Sequence, residues 1–333
     1  MALRTTFPCV DDHNNDHLAL HRRYNQARSV RDYGALGDGV TDDTAAFQAA
    51  IDASEPRDTL YIPHGEYQIF TGLTSDVTNL SLIGDGRWAS RIIQSRPNTI
   101  NLLTTSAGLN MSNLFFRGST GSGAIYAPTG TRNDSLIERC WFYQTDGPLI
   151  TGRLANVTIS DCVFEGSVIG VDLETAYANI SNCLWYNVKR RMLKLTSYTG
   201  ANLSNLFFEV RDLDASIETA VQLINCDDIN MSNLNFVRVD DADGGYPGAI
   251  SMSGCTGVHM SNVRLNNFVD GVGPVIDIAT SAQILGRNIS AACAADTVGI
   301  SLDTCTEYNI EMMVVGADTE SSEVGSVGVL TMI

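Results

Sequence analysis

VTISDCVF (157–164), ANISNCLW (178–185) and ANLSNLFF (201–208) are three copies of one pattern, and that pattern decides the fold. LNMSNLFF (109–116), SLIERCWF (135–142), INMSNLNF (229–236) and VHMSNVRL (258–265) align with them without gaps. Weaker copies, SLIGDG before and LGRNIS and NIEMMV after, bring the units to about ten. Each unit is an alternating apolar run, a polar turn and a second alternating run. A third run follows in VDLE (171–174), LKLT (193–196), VQLI (221–224), ISMS (250–253), IDIA (276–279) and ISLD (300–303). Alternation of period two marks strands, and three short strands in each unit of roughly 25 residues leave almost no room for helix. The expected fold class is all-β: a parallel β-helix of about ten coils.

Counting from the turn residues Asn113, Arg139, Asp161, Asn182, Asn205, Asn233 and Asn262 sorts the side chains. Asn and Asp at six of these positions suit a backbone that turns left-handed. Alternation sends Met111, Ile137, Ile159, Ile180, Leu203, Met231 and Met260 inward. It does the same for Phe116, Phe142, Phe164, Trp185, Phe208, Phe236 and Leu265, and for Cys140, Cys162 and Cys183, which read as small buried hydrophobes. The outward positions Phe115, Trp141, Val163, Leu184 and Phe207 form an apolar stripe along five consecutive units. Such a stripe needs cover, from a loop of the same chain or from another subunit. A parallel homotrimer is the expected arrangement.

The formal charge of -17, from 21 Lys+Arg against 38 Asp+Glu, lacks the basic footprint that nucleic acid or an anionic membrane surface requires. No run of ~18 apolar residues is present, so no membrane insertion is expected, and residues 1–30 show no basic–apolar–small signal pattern. Eight Cys match no zinc spacing in a chain of 333 residues, large enough to bury a core without disulfides.

The segment VRDYGALGDGVTDDTAAFQAAID (30–52) resembles the opening motif of the pectate-lyase-like right-handed β-helix superfamily, written DFGAxGDGxxDDTxAxQxAID. The repeated coils extend that likeness to about residue 315. The resemblance implies a helix that caps the N-terminal end of the solenoid. Thr41 or Asp42 can cap that helix, Asp42 and Asp43 suit its positive end, and Phe47 and Ile51 face the core. GDGVTDD lacks the Glu of a calcium loop, so it is expected to be punctuation rather than a metal site. The chain then divides into residues 1–29, an attachment or oligomerisation segment; 30–55, the motif and capping helix; and 56–333, the parallel β-helix.

The polygalacturonase branch carries GHG and RIK motifs that this chain lacks, and Asp227-Asp228 reads as an exposed turn pair. What remains resembles bacteriophage tailspikes and capsule depolymerases. That resemblance implies a virion tail protein, attached to phage tail or capsid proteins through residues 1–29. It would bind a bacterial surface polysaccharide, lipopolysaccharide or capsule, and hydrolyse it. His13, His17 and His21 would line one face of an attachment helix. A non-catalytic adsorption fibre or capsid decoration protein, and a polysaccharide lyase or epimerase, are the alternative readings.

Glycoside hydrolysis needs two carboxylates flanking the bond, about 5–5.5 Å apart for retention or ~6.5–9.5 Å for inversion. Long loops on a regular scaffold are where sites are usually built, and two adjacent units have them: EVRDLDASIET (209–219) and VRVDDADGGYPG (237–248). The expected catalytic pair comes from Glu174, Glu209, Asp212, Asp214, Asp240 and Asp241. The expected substrate contacts are Asp172, Lys194, Arg211 and Arg238, with Tyr186, Tyr198 and Tyr246 as stacking platforms. Asp172 beside Lys194 reads first as an ion pair, whereas Glu174 has no evident cationic partner. No cofactor is expected, although Asp240, Asp241 and Asp243 have the oxygens to hold Ca²⁺.

Overall fold

The computed structural model describes residues 28–94, 101–118, 123–131, 134–143, 147–174, 177–188, 190–210, 219–238, 248–268, 274–293, 299–315, 321–324 and 327–332. These residues form an all-β parallel solenoid with one α-helix, Thr44–Asp52, and a short 3-10 turn, Val30–Tyr33. Each coil contributes to three ladders. In one coil these are Val157–Ser160, Val163–Glu165 and Ile169–Glu174; in the next they are Ala178–Ser181, Leu184–Tyr186 and Arg191–Thr196. The gapless alignment of the sequence copies is the pairing register: Ile159 lies beside Ile180, Phe164 beside Trp185 and Asp172 beside Lys194. From Thr199–Val210 onward the first two ladders run as one bent strand per coil, as in Asp227–Arg238 and Thr256–Phe268. The third ladder is a separate sheet of eleven strands.

The bend between the first and second ladders is a single left-handed residue. Asn113, Arg139, Asp161, Asn182, Asn205, Asn233, Asn262 and Asn288 all have φ between 51° and 58°. That conformation costs most side chains about 1–2 kcal/mol, and Asn tolerates it best. The Asn amides then link coil to coil. Asn205 donates to Asn182 (3.1 Å), Asn233 to Asn205 (2.9 Å), Asn262 to Asn233 (3.0 Å) and Asn288 to Asn262 (2.5 Å).

Inside the solenoid, Phe116, Phe142, Phe164, Trp185, Phe208 and Phe236 stack in one column with ring centroids 4.6–5.3 Å apart. Stacked pairs of this kind add about 0.5–1.5 kcal/mol each beyond the burial of their area. Trp185 fits a column of phenylalanines because Gly170 stands opposite: a Cβ there would meet the indole at 2.8 Å. Cys140, Cys162 and Cys183 are buried as expected, and burial pushes the Cys140 and Cys183 thiols up. A second inward column follows the third ladder: Tyr198, Cys226, Cys255, Ser281 and Cys305.

The acidic opening segment is a set of turns. Asp38 accepts hydrogen bonds from the backbone N–H groups of Val40 (2.9 Å) and Thr41 (2.8 Å). Buried Asp43 accepts from Leu36 (2.7 Å) and Gly37 (3.2 Å), tying the GDG loop to the helix start. The helix N-cap is Asp43, one or two residues later than expected; its carboxylate is taken by that loop and makes no cap bond. Asp42, just before it, accepts instead from the Thr44 N–H (3.0 Å). Phe47 and Ile51 are buried as expected, with the Phe47 ring edge-on to Tyr67 at 5.2 Å.

Candidate functional site on the second ladder

Two outer faces of the solenoid carry the residues singled out from the sequence. On the third ladder, Lys194 lies 3.6 Å from Asp172, the ion pair that the register implies. Glu174 is paired as well, contrary to expectation: Arg153 of the preceding coil approaches it to 3.5 Å. That partner is hidden in the sequence because Arg153 lies in a strand, Pro148–Leu154, whose sequence does not align with the repeated runs. Asp172 and Glu174 therefore each meet a cation from a neighbouring coil.

The second ladder differs. Its strands place two columns outward, in register from coil to coil. One is the apolar stripe of Phe115, Trp141, Val163, Leu184 and Phe207. The other, two residues further on, is Arg117, Tyr143, Glu165, Tyr186 and Glu209. Glu165 Oε2 accepts hydrogen bonds from the Tyr186 hydroxyl (2.7 Å) and from Trp141 Nε1 (3.1 Å). Burial, followed by the bond to Glu165, pushes the Tyr186 phenol up from its ordinary value, and the Glu209 charge adds to the shift. The result is a carboxylate, a phenol and a second carboxylate on three successive coils.

The stripe is covered in part by its own chain. Phe115 is only 5% exposed, with the Arg91 guanidinium over its ring at 5.0 Å and Trp141 and Tyr143 at 6.3 and 6.1 Å. It is therefore closed to a neighbouring subunit, a correction to its expected place in a trimer interface. Trp141, Val163, Leu184 and Phe207 remain half-buried. Trp88, from the loop between strands Leu80–Gly84 and Ser90–Gln94, packs edge-on to Trp141 at 4.5 Å. Further along, the stripe turns polar, and Asn233, Asn235, Asn262, Arg264 and Asn288 line a concavity of about 440 Å³.

Tyr198 is a correction too. It is fully buried and its hydroxyl donates to the Leu154 carbonyl (2.9 Å), so it belongs to the core and cannot stack on a sugar. Ser197, before it, is left-handed (φ 57°), which makes Tyr198 the inward residue after a turn. Arg238 ends the strand Asp227–Arg238, in register with Val210. Arg211, Asp212, Asp214, Asp240, Asp241, Asp243 and Tyr246, with His13, His17 and His21, lie outside the described residues. Among the described residues no three His, Cys, Asp or Glu side chains gather as metal ligands. Counting outward one step past the stripe would have found Glu165, and the interrupted repeat in SLIGDGRWAS would have pointed to Trp88.

The family model described as "Rhamnogalacturonase A/epimerase, pectate lyase-like" matches residues 27–199, from the opening motif through the coils that carry Glu165 and Tyr186. The chain belongs to this family. Among related sequences, the mannuronan C5-epimerase AlgE1 of Azotobacter vinelandii is 59% identical over 46 residues, 13% of this chain and 3% of that protein. The preneck appendage protein of Bacillus phage PZA is 42% identical over 59 residues, 18% of this chain and 6% of that protein. The matches therefore span small fractions of these relatives. Among solved structures, the A-module of the Azotobacter vinelandii mannuronan C-5 epimerase AlgE6 has a TM-score of 0.54 at 17% identity, covering 91% of this chain and 99% of the module. Tailspike protein 2 of the Escherichia coli O157:H7 bacteriophage CAB120 has a TM-score of 0.53 at 16% identity, covering 87% of this chain and 38% of the tailspike. At these identities the two structures share the fold.

Proposed function

We propose that the protein is a phage tailspike-like component of the virion tail that binds a bacterial surface polysaccharide and hydrolyses it during adsorption. The observation that carries this reading is the row Glu165–Tyr186–Glu209 on an aromatic outer face. Two strand spacings of about 4.8 Å set the two glutamate backbones roughly 9.6 Å apart. Side chains on backbones so spaced can reach the ~6.5–9.5 Å carboxyl separation of inverting glycosidases. Glu165, oriented by the Trp141 and Tyr186 donors, is the base that takes a proton from water. The water oxygen bonds to the anomeric carbon, the glycosidic bond breaks, and the departing oxygen takes a proton from Glu209. Tyr186 keeps its own proton, because its phenol is pushed up, and serves to hold Glu165.

Elimination or epimerisation, in which a base removes a proton from the sugar ring, is the second reading. The epimerase relatives support this second reading, with Glu209 as the base. Of the other carboxylates expected to be catalytic, Glu174 is engaged by Arg153 on another sheet, and we assign it no step. The phage appendage relative supports the virion assignment, with residues 1–29 as attachment segment and the helix Thr44–Asp52 as cap of the solenoid. A homotrimer resting on Val163, Leu184 and Phe207 is the competing use of this face. It would remove the polar column beside the stripe, Glu165 included, from water, which costs free energy. Purified protein incubated with bacterial lipopolysaccharide and capsule tests the proposal. New reducing ends without the ultraviolet absorbance of an unsaturated uronate support hydrolysis; reducing ends with it mean a lyase; neither leaves a binding or structural protein.

A further inference from the structure

We infer that Trp88 and Trp141 form a sugar-stacking subsite for a neutral hexopyranose, next to the Glu165–Glu209 pair. The inference rests on the proposed function and adds the place and the chemical class of one bound sugar.

Trp88 is 67% exposed, unusual for the largest apolar side chain. Its loop is nonetheless held at both ends. The Ala89 and Ser90 N–H groups donate to the Gly86 carbonyl (2.8 and 2.9 Å), and Ser90 Oγ donates to the Ile62 carbonyl (2.7 Å). Asp85 accepts from the Tyr61 hydroxyl (2.5 Å) and the His64 N–H (2.8 Å). Gly65 N–H donates to Ala89 (2.9 Å). Where later coils turn on one left-handed Asn, this coil spends residues 85–89 on a loop stapled to the coil before it. A fixed, solvent-facing indole exposes apolar surface with little conformational freedom left to lose, which is the condition for tight stacking.

The surroundings define what would stack there. A pyranose offers an apolar C–H face and a rim of hydroxyls. The Trp88 ring meets Trp141 at 4.5 Å, and the Arg87 guanidinium stands 5.9 Å from the Trp141 centroid, a donor for ring or hydroxyl oxygens. On the other side, Trp141 Nε1 is bound to Glu165, so a carboxylate already sits at the edge of the platform. A uronate carboxyl placed at that edge would meet the Glu165 carboxylate. A neutral sugar meets no such opposition, and its hydroxyls can donate to that carboxylate. Trp141 lies one coil before Glu165, so the stacked sugar neighbours the scissile bond.

Affinity electrophoresis in gels containing dextran, galactomannan, xyloglucan or alginate tests the inference, with W88A, W88F and the unaltered protein run side by side. Retardation by at least one neutral polymer is expected, with W88A weakening it roughly tenfold, the loss typical of one aromatic anchor. W88F should retain most of it, and the melting temperature and the mass in solution should stay unchanged. Absence of retardation by every neutral polymer overturns the inference, as does equal retardation of W88A, or tighter retardation by alginate. A lower mass for W88A overturns it differently, because Trp88 would then hold a second copy of the chain. Retardation that depends on Trp88 without release of reducing ends keeps the subsite and sinks the hydrolytic reading. Hydrolysis by W88A with an unchanged KM does the reverse.

Discussion

The third ladder and the second ladder both turn carboxylates toward solvent, but they give them different partners. On the third ladder Asp172 and Glu174 meet Lys194 and Arg153. On the second, Glu165 meets an indole and a phenol and has Glu209 two coils away. The first arrangement sets each of these two charges against an opposite one from the neighbouring coil, ~4.8 Å away. The second orients Glu165 by two aromatic donors from neighbouring coils, beside an apolar stripe. Carboxylate density alone does not separate the two; the chemistry of the neighbouring coil does.

The comparison breaks most sharply at the acids themselves. Glu165→Gln and Glu209→Gln should each lower kcat for reducing-end release by about 10²–10⁴-fold, while Glu174→Gln retains the unaltered rate. A collapse with Glu174→Gln alone, measured at saturating polysaccharide, would move the site to the third ladder. The next effect lies on the inner side of the same strand as Glu165. Phe164→Ala opens the aromatic column between Phe142 and Trp185 and should cost about 3–5 kcal/mol in denaturant unfolding. On the third ladder, Asp172→Asn should cost about 1–3 kcal/mol, since the pair with Lys194 is only one-fifth exposed and the ammonium loses its charged acceptor. A larger loss would mean that the charge pairs hold the stack together. Smallest of all is Trp185→Phe. The Trp185 Nε1–H is buried with no acceptor among the described residues, so the substitution relieves it of a cost of about 1–3 kcal/mol. The lost ring area offsets that relief, and unfolding should shift by under about 1 kcal/mol.

Much of this architecture was legible because a solenoid repeats its arithmetic. One left-handed residue sets the phase, and alternation then fixes which side chains enter the core, so Phe116, Ile159 and Cys162 fall where counting puts them. The errors arise where the phase is reset. Tyr198 follows a second turn, at Ser197, that restarts the alternation and sends it inward. Arg153 belongs to a strand whose sequence, PLITGRL, hides its alternation, and its reach to Glu174 follows from pairing between coils rather than from neighbours in the chain. Glu165 is legible as the next outward residue after Val163, but its two donors, Trp141 and Tyr186, come from neighbouring coils and not from its own stretch of sequence. Trp88 came from a break in the repeat, which periodicity can flag but cannot aim. Asp43 shows the same limit, since its carboxylate serves a loop six and seven residues back instead of the helix it precedes.

The three tryptophans occupy three distinct surroundings: Trp88 in solvent, Trp141 half-covered and Trp185 sealed within a pile of rings. Indole emission shifts toward the red in water and toward the blue in an apolar shell. The molecule therefore carries its own pair of optical gauges, the blue edge reporting whether the coils are intact and the red edge whether the surface is occupied. A glycan that quenches the red component alone, in a titration that leaves the blue one unmoved, could be followed without any added label.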